Sequence, residues 1–154
     1  MQAKPSPKAP LYMEDLSPGD TFTSGTYLMD AEKILAFGRE FDPQPFHTDP
    51  ELAKDTFFEG LAASGWHTAA VCMRLLVESL PVAGGLIGAG SEVRWPQPTR
   101  PGDVLRVITT VQEIVPSRSR PDRGIAHVES LVLNQRDEVC QRSVSRVVVL
   151  RRPV

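Results

Sequence analysis

The sequence predicts an α+β domain in which an antiparallel sheet wraps around one long central helix. Two observations predict it. Residues 65–80 read Gly-Trp-His-Thr-Ala-Ala-Val-Cys-Met-Arg-Leu-Leu-Val-Glu-Ser-Leu, apolar nearly all round, so the helix should be buried on most sides and needs more than one covering surface. After Pro81 the chain carries only strand patterns separated by turn signals, as an antiparallel meander requires. One sheet around one helix leaves strand edges and part of an apolar face uncovered. A second copy would cover both, so a homodimer or a dimer of dimers is expected.

Length and composition bound the rest. At 154 residues the chain is one domain, expected over 11–154, behind a loose proline-rich arm over 1–10. Seventeen basic and nineteen acidic side chains give a net charge of −2, which argues against nucleic acid or an anionic membrane as partner. The two cysteines, Cys72 and Cys140, fit neither a metal finger nor a disulfide framework, and read as reduced, buried thiols of a cytoplasmic protein. No apolar run is long enough to span a membrane, and residues 1–10 lack the apolar core of a signal peptide.

Each element has a local cause. Ser17-Pro18-Gly19-Asp20 marks a turn, and the β-rich run 21–28 predicts a first strand. Asp30 is placed to cap a helix over 31–39, with Ile34, Leu35 and Phe37 on its apolar face. Pro43 and Pro45 forbid its continuation. Asp49-Pro50 starts a short helix over 50–54, with Asp at the N-cap and Pro at the first helical position. Strands follow over 87–95, 104–115, 125–134 and 139–150. In the second of these Leu105, Val107, Thr109 and Val111 share one face.

The chemistry concentrates between Phe41 and Gly65. Asp42 and His47 lie five positions apart on a proline-stiffened loop, and Ser64-Gly65 opens the long helix. A carboxylate, an imidazole and a helix N-terminus together suggest an acid/base pair facing an anion-stabilising helix start. Ser64 can cap the helix through the N–H of Trp66 or His67, leaving the Gly65 N–H free for a ligand.

Asp42-x-x-x-x-His47, followed by Thr48-Asp49-Pro50 and by Gly65 at the start of the long helix, resembles the MaoC-like hydratase/dehydratase family. Trp95-Pro96-Gln97-Pro98 and Arg100-Pro101-Gly102-Asp103-Val104-Leu105 look like that family's link between strands. The resemblance covers residues 12–150. It implies a hot-dog fold and a hydro-lyase of fatty acid metabolism, interconverting trans-2-enoyl-CoA and (R)-3-hydroxyacyl-CoA thioesters. It also implies Asp42 and His47 as the residues that hold and activate water, and Gly65 as the backbone N–H that receives the thioester oxygen. No metal or redox cofactor is expected; coenzyme A enters as part of the substrate. Ser64 stands where many members have histidine, and Met73 where some have a serine that touches the catalytic residues. A non-catalytic acyl-thioester binding module and a hot-dog thioesterase are the alternatives.

Hydration of a conjugated thioester explains why these groups suit each other. Water must lose a proton as it attacks the β carbon, the α carbon must gain one, and negative charge collects on the thioester oxygen in between. Asp and His, with ordinary pKa values near ~3.9 and ~6.5, suit the proton transfers. A helix N-terminus suits the charge. Which of Asp42 and His47 takes the proton and which gives it is open at the level of sequence. Asp49 has a complete role as an N-cap, and His67, one turn inside the helix, reads as structural. Trp66 and Phe46 read as pocket or dimer-contact residues. Arg118, Arg120 and Arg123 either meet coenzyme A phosphates or form a solvated basic loop.

Overall fold

The computed structural model describes residues 9–154. Most of the expected 1–10 arm lies outside the described residues; just after it, Leu11 bridges to Val82. A single turn of 3-10 helix, Met13–Asp15, seats Met13 in the core.

The expected first strand is two short pieces, β1 (Thr21–Thr23) and β2 (Tyr27–Leu28). Ser24 causes the break. Its N–H still donates to the Val107 carbonyl, but its hydroxyl accepts from the Val107 N–H at 2.8 Å, so one ladder bond gives way to a side-chain bond. Helix α1 (Ala31–Phe41) is capped by Asp30, whose carboxylate accepts from Lys33 N–H at 2.8 Å. Two single-turn helices follow: α2 (Pro45–Thr48), and α3 (Pro50–Ala53) with Asp49 as its N-cap. The segment around His47 is therefore helical, not loop. Pro45 stops α1 but fits the first position of a new turn, where its missing N–H is of no consequence.

Helix α4 (Gly65–Ser79) is the long apolar helix. Then come β3 (Ile87–Arg94), β4 (Val104–Pro116), β5 (Arg123–Leu133) and β6 (Val139–Leu150). The six-stranded antiparallel sheet has the order β1-β4-β5-β6-β3, with β2 also on β4. Its inner face buries Leu105, Val107 and Val111 from β4, and Ala126, Val128 and Val132 from β5, of which Leu105, Val107 and Val132 share a core with α4. Val71, Cys72 and Leu75 of α4 pack there with Met29 and Ile34 in one core. Leu80, Val82, Val147 and Val149 form a second core with Met13 and Leu16. A sheet curled about a central helix in this order is the hot-dog fold.

One expectation is corrected. Helix α4 is covered on one face only. Trp66, Met73 and Val77 are half exposed or more, because the chain's own sheet passes on one side of the helix. Among the described residues no helix is long and apolar enough to cross a membrane.

Candidate active site

Helix α1 delivers Asp42. It is the C-cap residue, and its N–H donates to the Gly38 carbonyl at 2.9 Å. The next turn is tight, with Gln44 N–H donating to the Asp42 carbonyl at 2.8 Å. The Gln44 side chain then donates to Asp42 Oδ1 at 2.6 Å, which leaves Oδ2 to face His47.

His47 lies on α2 and is buried at 5% exposure. Gly38 makes room for it. A Cβ at position 38 would lie 2.5 Å from the His47 carbonyl oxygen and 3.0 Å from its Cβ, so only glycine lets α1 and α2 approach this closely. His47 Nδ1 donates to the Ala62 carbonyl at 2.6 Å; a carbonyl only accepts, so Nδ1 carries the hydrogen. Nε2 therefore stands ready to take a proton, 3.2 Å from Asp42 Oδ2. Phe46 packs edge-on against the imidazole at 4.6 Å, and Ala62 N–H donates to the Phe46 carbonyl. The ring thus has little freedom to turn.

Gly65 is the first residue of α4. Ser64 is the N-cap, accepting from Trp66 N–H at 3.3 Å, while the His67 and Thr68 N–H groups donate to the Ser64 carbonyl. The Gly65 N–H finds no protein acceptor among the described residues. It opens the helix with its donor free, the arrangement that favours a developing anion. The face of Trp95 lies against Gly65: a Cβ there would meet the indole Cε2 at 2.7 Å. Asp42, His47 and Gly65 line one cavity of 460 Å³ with Trp66, Phe58 and Cys140.

The Arg100-Pro101-Gly102-Asp103 turn holds the wall of this cavity. Buried Asp103 accepts from Arg100 N–H at 2.8 Å and from the Gln135 side chain at 3.0 Å, and Gly102 takes a φ of +86° that favours glycine. The Arg100 guanidinium reaches across to the Phe58, Gly60 and Leu61 carbonyls at 2.5, 3.1 and 3.3 Å. These flank Glu59, a non-glycine residue held at φ +55°. Ala63 N–H donates to Thr99 O, and Thr68 Oγ1 to Thr99 Oγ1 at 3.0 Å. Arg100 and Thr99 thus fix the segment whose Ala62 carbonyl sets the His47 tautomer. The sequence motif pointed to this turn but not to the arginine's long-range role.

Burial alone would raise the Asp42 carboxyl. The polar side chains of Gln44 and Ser64 and the nearby His47 ring outweigh it, so its pKa lies below the ordinary value. Of the two neutral partners, Gln44 sits at full hydrogen-bond geometry. The thiols run the other way. Burial pushes Cys72 up to about 12 and raises Cys140, so neither is a thiolate nucleophile at neutral pH.

The remaining candidates separate cleanly. Asp49 accepts from the Glu51 and Leu52 N–H groups, as an N-cap does. His67 stacks on Phe37 at 4.7 Å, away from the cavity lining. Met73 is half exposed and lines a different cavity. Arg118 and Arg120 occupy the β4–β5 connection, at the far end of β4 from the site, and Arg123, which opens β5, pairs with Asp122 at 3.0 Å. Among the described residues no group of three or more His, Cys, Asp or Glu side chains is arranged to hold a metal ion.

Comparison with known proteins bears on the family and the fold. The family model described as MaoC like domain matches residues 15–132. The uncharacterized protein YdeM of Bacillus subtilis is 31% identical over 128 residues, covering 81% of this chain and 89% of YdeM. An (R)-specific enoyl-CoA hydratase of Rhodospirillum rubrum is 26% identical over 107 residues, covering 70% of this chain and 74% of that protein. Among solved structures, a MaoC-like dehydratase from Rhodospirillum rubrum superposes with a TM-score of 0.92 at 60% identity, covering 94% of this chain and 99% of that one.

Proposed function

The chain belongs to the MaoC-like domain family, and on that premise we propose that it is a hydro-lyase interconverting trans-2-enoyl-CoA and (R)-3-hydroxyacyl-CoA thioesters. The observation that carries this reading is the Asp42–His47 pair facing the free N–H of Gly65 across one cavity. The (R) outcome is supported by the name of the Rhodospirillum rubrum hydratase relative.

Geometry also supports an assignment of roles. The attacking water binds beside the pair, within reach of both Asp42 Oδ2 and His47 Nε2. As its oxygen attacks the β carbon, its proton passes to Nε2, the only free nitrogen of the ring. The Asp42 carboxylate, favoured as the anion, stabilises the imidazolium that forms. The electron pair of the double bond moves onto the thioester oxygen, where the Gly65 N–H and the α4 dipole meet the charge. The imidazolium then returns the proton to the α carbon. Water loses one proton, carbon gains one, and no electrons change hands, so the scheme asks for no metal or redox cofactor; coenzyme A is part of the substrate.

The working form in this reading is a homodimer or a dimer of dimers. β3 is an edge strand, exposed along nearly all its length, and Met73 and Val77 of α4 lie open beside it. The reducing cytoplasm suits the two free thiols, Cys72 and Cys140.

Incubation with crotonyl-CoA tests the reading. Loss of the conjugated-enoyl absorbance with (R)-3-hydroxybutyryl-CoA as product is expected. Release of free thiol would mark a thioesterase, an unchanged substrate a binding module, and a purely (S) product would overturn the assignment.

A further inference from the structure

Two buried threonines line the active-site cavity without a part in the steps above. Thr68 lies on α4 and Thr99 in the link between β3 and β4, each 2% exposed. Thr68 Oγ1 donates to Thr99 Oγ1 at 3.0 Å. A hydroxyl that accepts from another must aim its own hydrogen elsewhere. Among the described residues the Thr99 hydroxyl donates to no oxygen or nitrogen. The Cys140 sulfur is near, but burial keeps that thiol neutral, and a neutral thiol accepts only weakly. A buried donor without a partner is costly, so one in a cavity wall points to an acceptor on a ligand.

Thr99 is fastened to the chain on both sides of Gly65. Its carbonyl accepts from Ala63 N–H, just before α4, and its hydroxyl accepts from Thr68, in the first turn of α4. Helical side chains lean toward the N-terminus of their helix, so Thr68 holds its partner toward the Gly65 end. One cavity therefore contains two donors with no protein acceptor: the Gly65 N–H and the Thr99 hydroxyl.

We infer that the Thr99 hydroxyl is a second donor to the thioester oxygen, acting beside the Gly65 N–H, and that Thr68 is the positioning residue that turns it there. This rests on the hydro-lyase reading above. Negative charge collects on the thioester oxygen as the electron pair of the double bond moves onto it. An enolate oxygen has lone pairs for more than one donor, and one backbone N–H occupies only one of them. Donors fixed before the charge develops need no rearrangement when it does, so they favour the transition state over the ground state. Thr99 gives a hydrogen bond and keeps its proton. No bond to it forms or breaks, and the proton balance between water, His47 and the α carbon is unchanged.

Thr99→Val keeps the shape and the main-chain carbonyl and removes only the donor. With crotonyl-CoA it should lower kcat about 10²-fold, with a smaller change in KM. Thr99→Ser restores a hydroxyl and should recover most of the loss. Thr68→Val leaves the donor but not its orientation, and should cost less than Thr99→Val. Thr68→Val/Thr99→Val strands no hydroxyl and carries the test if the single variant does not fold. A second readout needs no turnover. Butanoyl-CoA, isotope-labelled at the thioester carbonyl, is bound and its C=O stretch is read by difference infrared spectroscopy. Loss of a donor should raise that frequency in Thr99→Val, and Thr99→Ser should return it toward the wild-type value. Wild-type turnover in Thr99→Val, a carbonyl frequency that does not move, or a serine variant no better than valine would each overturn the inference. The two claims fail separately. No hydration by the wild type, with the carbonyl shift present, sinks the reaction assignment alone. Normal wild-type hydration with no shift sinks the Thr99 role alone, and failure to bind butanoyl-CoA sinks both.

Discussion

Asp42 Oδ2 and His47 Nε2 stand 3.2 Å apart, while the other ring nitrogen of His47 is committed to the Ala62 carbonyl. Two atoms that each accept protons, set this close, share a proton or a water. Asp42→Asn and His47→Gln keep size and polarity but end that sharing. Each should lower kcat by about 10²–10⁴-fold with the fold retained. The double variant should be little worse than either single one, since the groups act as a unit. Steady-state kinetics beside circular dichroism checks this; near-normal turnover in one single variant would make that residue structural.

Alanine at position 65 looks conservative in the sequence, because it keeps the backbone N–H. The structure shows otherwise, since its Cβ would lie 2.7 Å from the Trp95 ring. Gly65→Ala should therefore cost about 1–3 kcal/mol of stability through overpacking. Combining it with Trp95→Leu should restore that stability. In the Trp95→Leu background, Gly65→Pro removes the donor at a position where proline suits a helix. It should fall about 10²–10³-fold in kcat below the Gly65→Ala/Trp95→Leu pair. Equal turnover in the two double variants would move the oxyanion site elsewhere.

Arg100 touches no atom of the acid/base pair, yet three carbonyls of the 58–61 segment converge on it. Arg100→Met should cost on the order of 2–4 kcal/mol, because half-buried carbonyls lose charge-assisted partners. Arg100→Lys should recover only part, lacking the planar fork. Thermal denaturation reads the cost. A positioning role also predicts that Arg100→Met lowers kcat more than it raises KM; wild-type kinetics in a destabilised protein would reduce Arg100 to a structural clamp.

His67 stacks on Phe37, and its Nδ1 is buried with no partner among the described residues. Burial depresses its pKa, Asp30 partly opposes this, and Lys33 adds to it. The unfolded chain then takes up a proton before the folded one does. Stability should fall as pH drops below the unfolded value near 6.5. His67→Phe keeps the stack and should flatten the melting temperature between roughly pH 5 and 7. An unaltered pH profile would place the acid sensitivity in other groups.

Light scattering at micromolar concentration should give at least twice the mass of one chain. Met73→Lys, which places a charge on the open face of α4, should shift the mass toward the monomer. A stable monomer in the unmodified protein would reject the pairing along β3.

Local patterns determined much of this protein. Asp30, Asp49 and Ser64 cap helices because each side chain needs only N–H groups two or three residues ahead. The inward face of β4 followed from strict alternation. That Asp42, His47 and Gly65 share one cavity was expected from their order and residue types. What tertiary structure decided are relations across long sequence distance, which no local pattern encodes. The Ala62 carbonyl chooses the His47 tautomer, Arg100 gathers carbonyls some forty residues away, and Trp95 meets both Gly65 and Gln141. The same reason explains the one-sided burial of α4. Its sequence is apolar all round, but a single sheet has only one face to offer it, and the other face is left for what lies outside the chain.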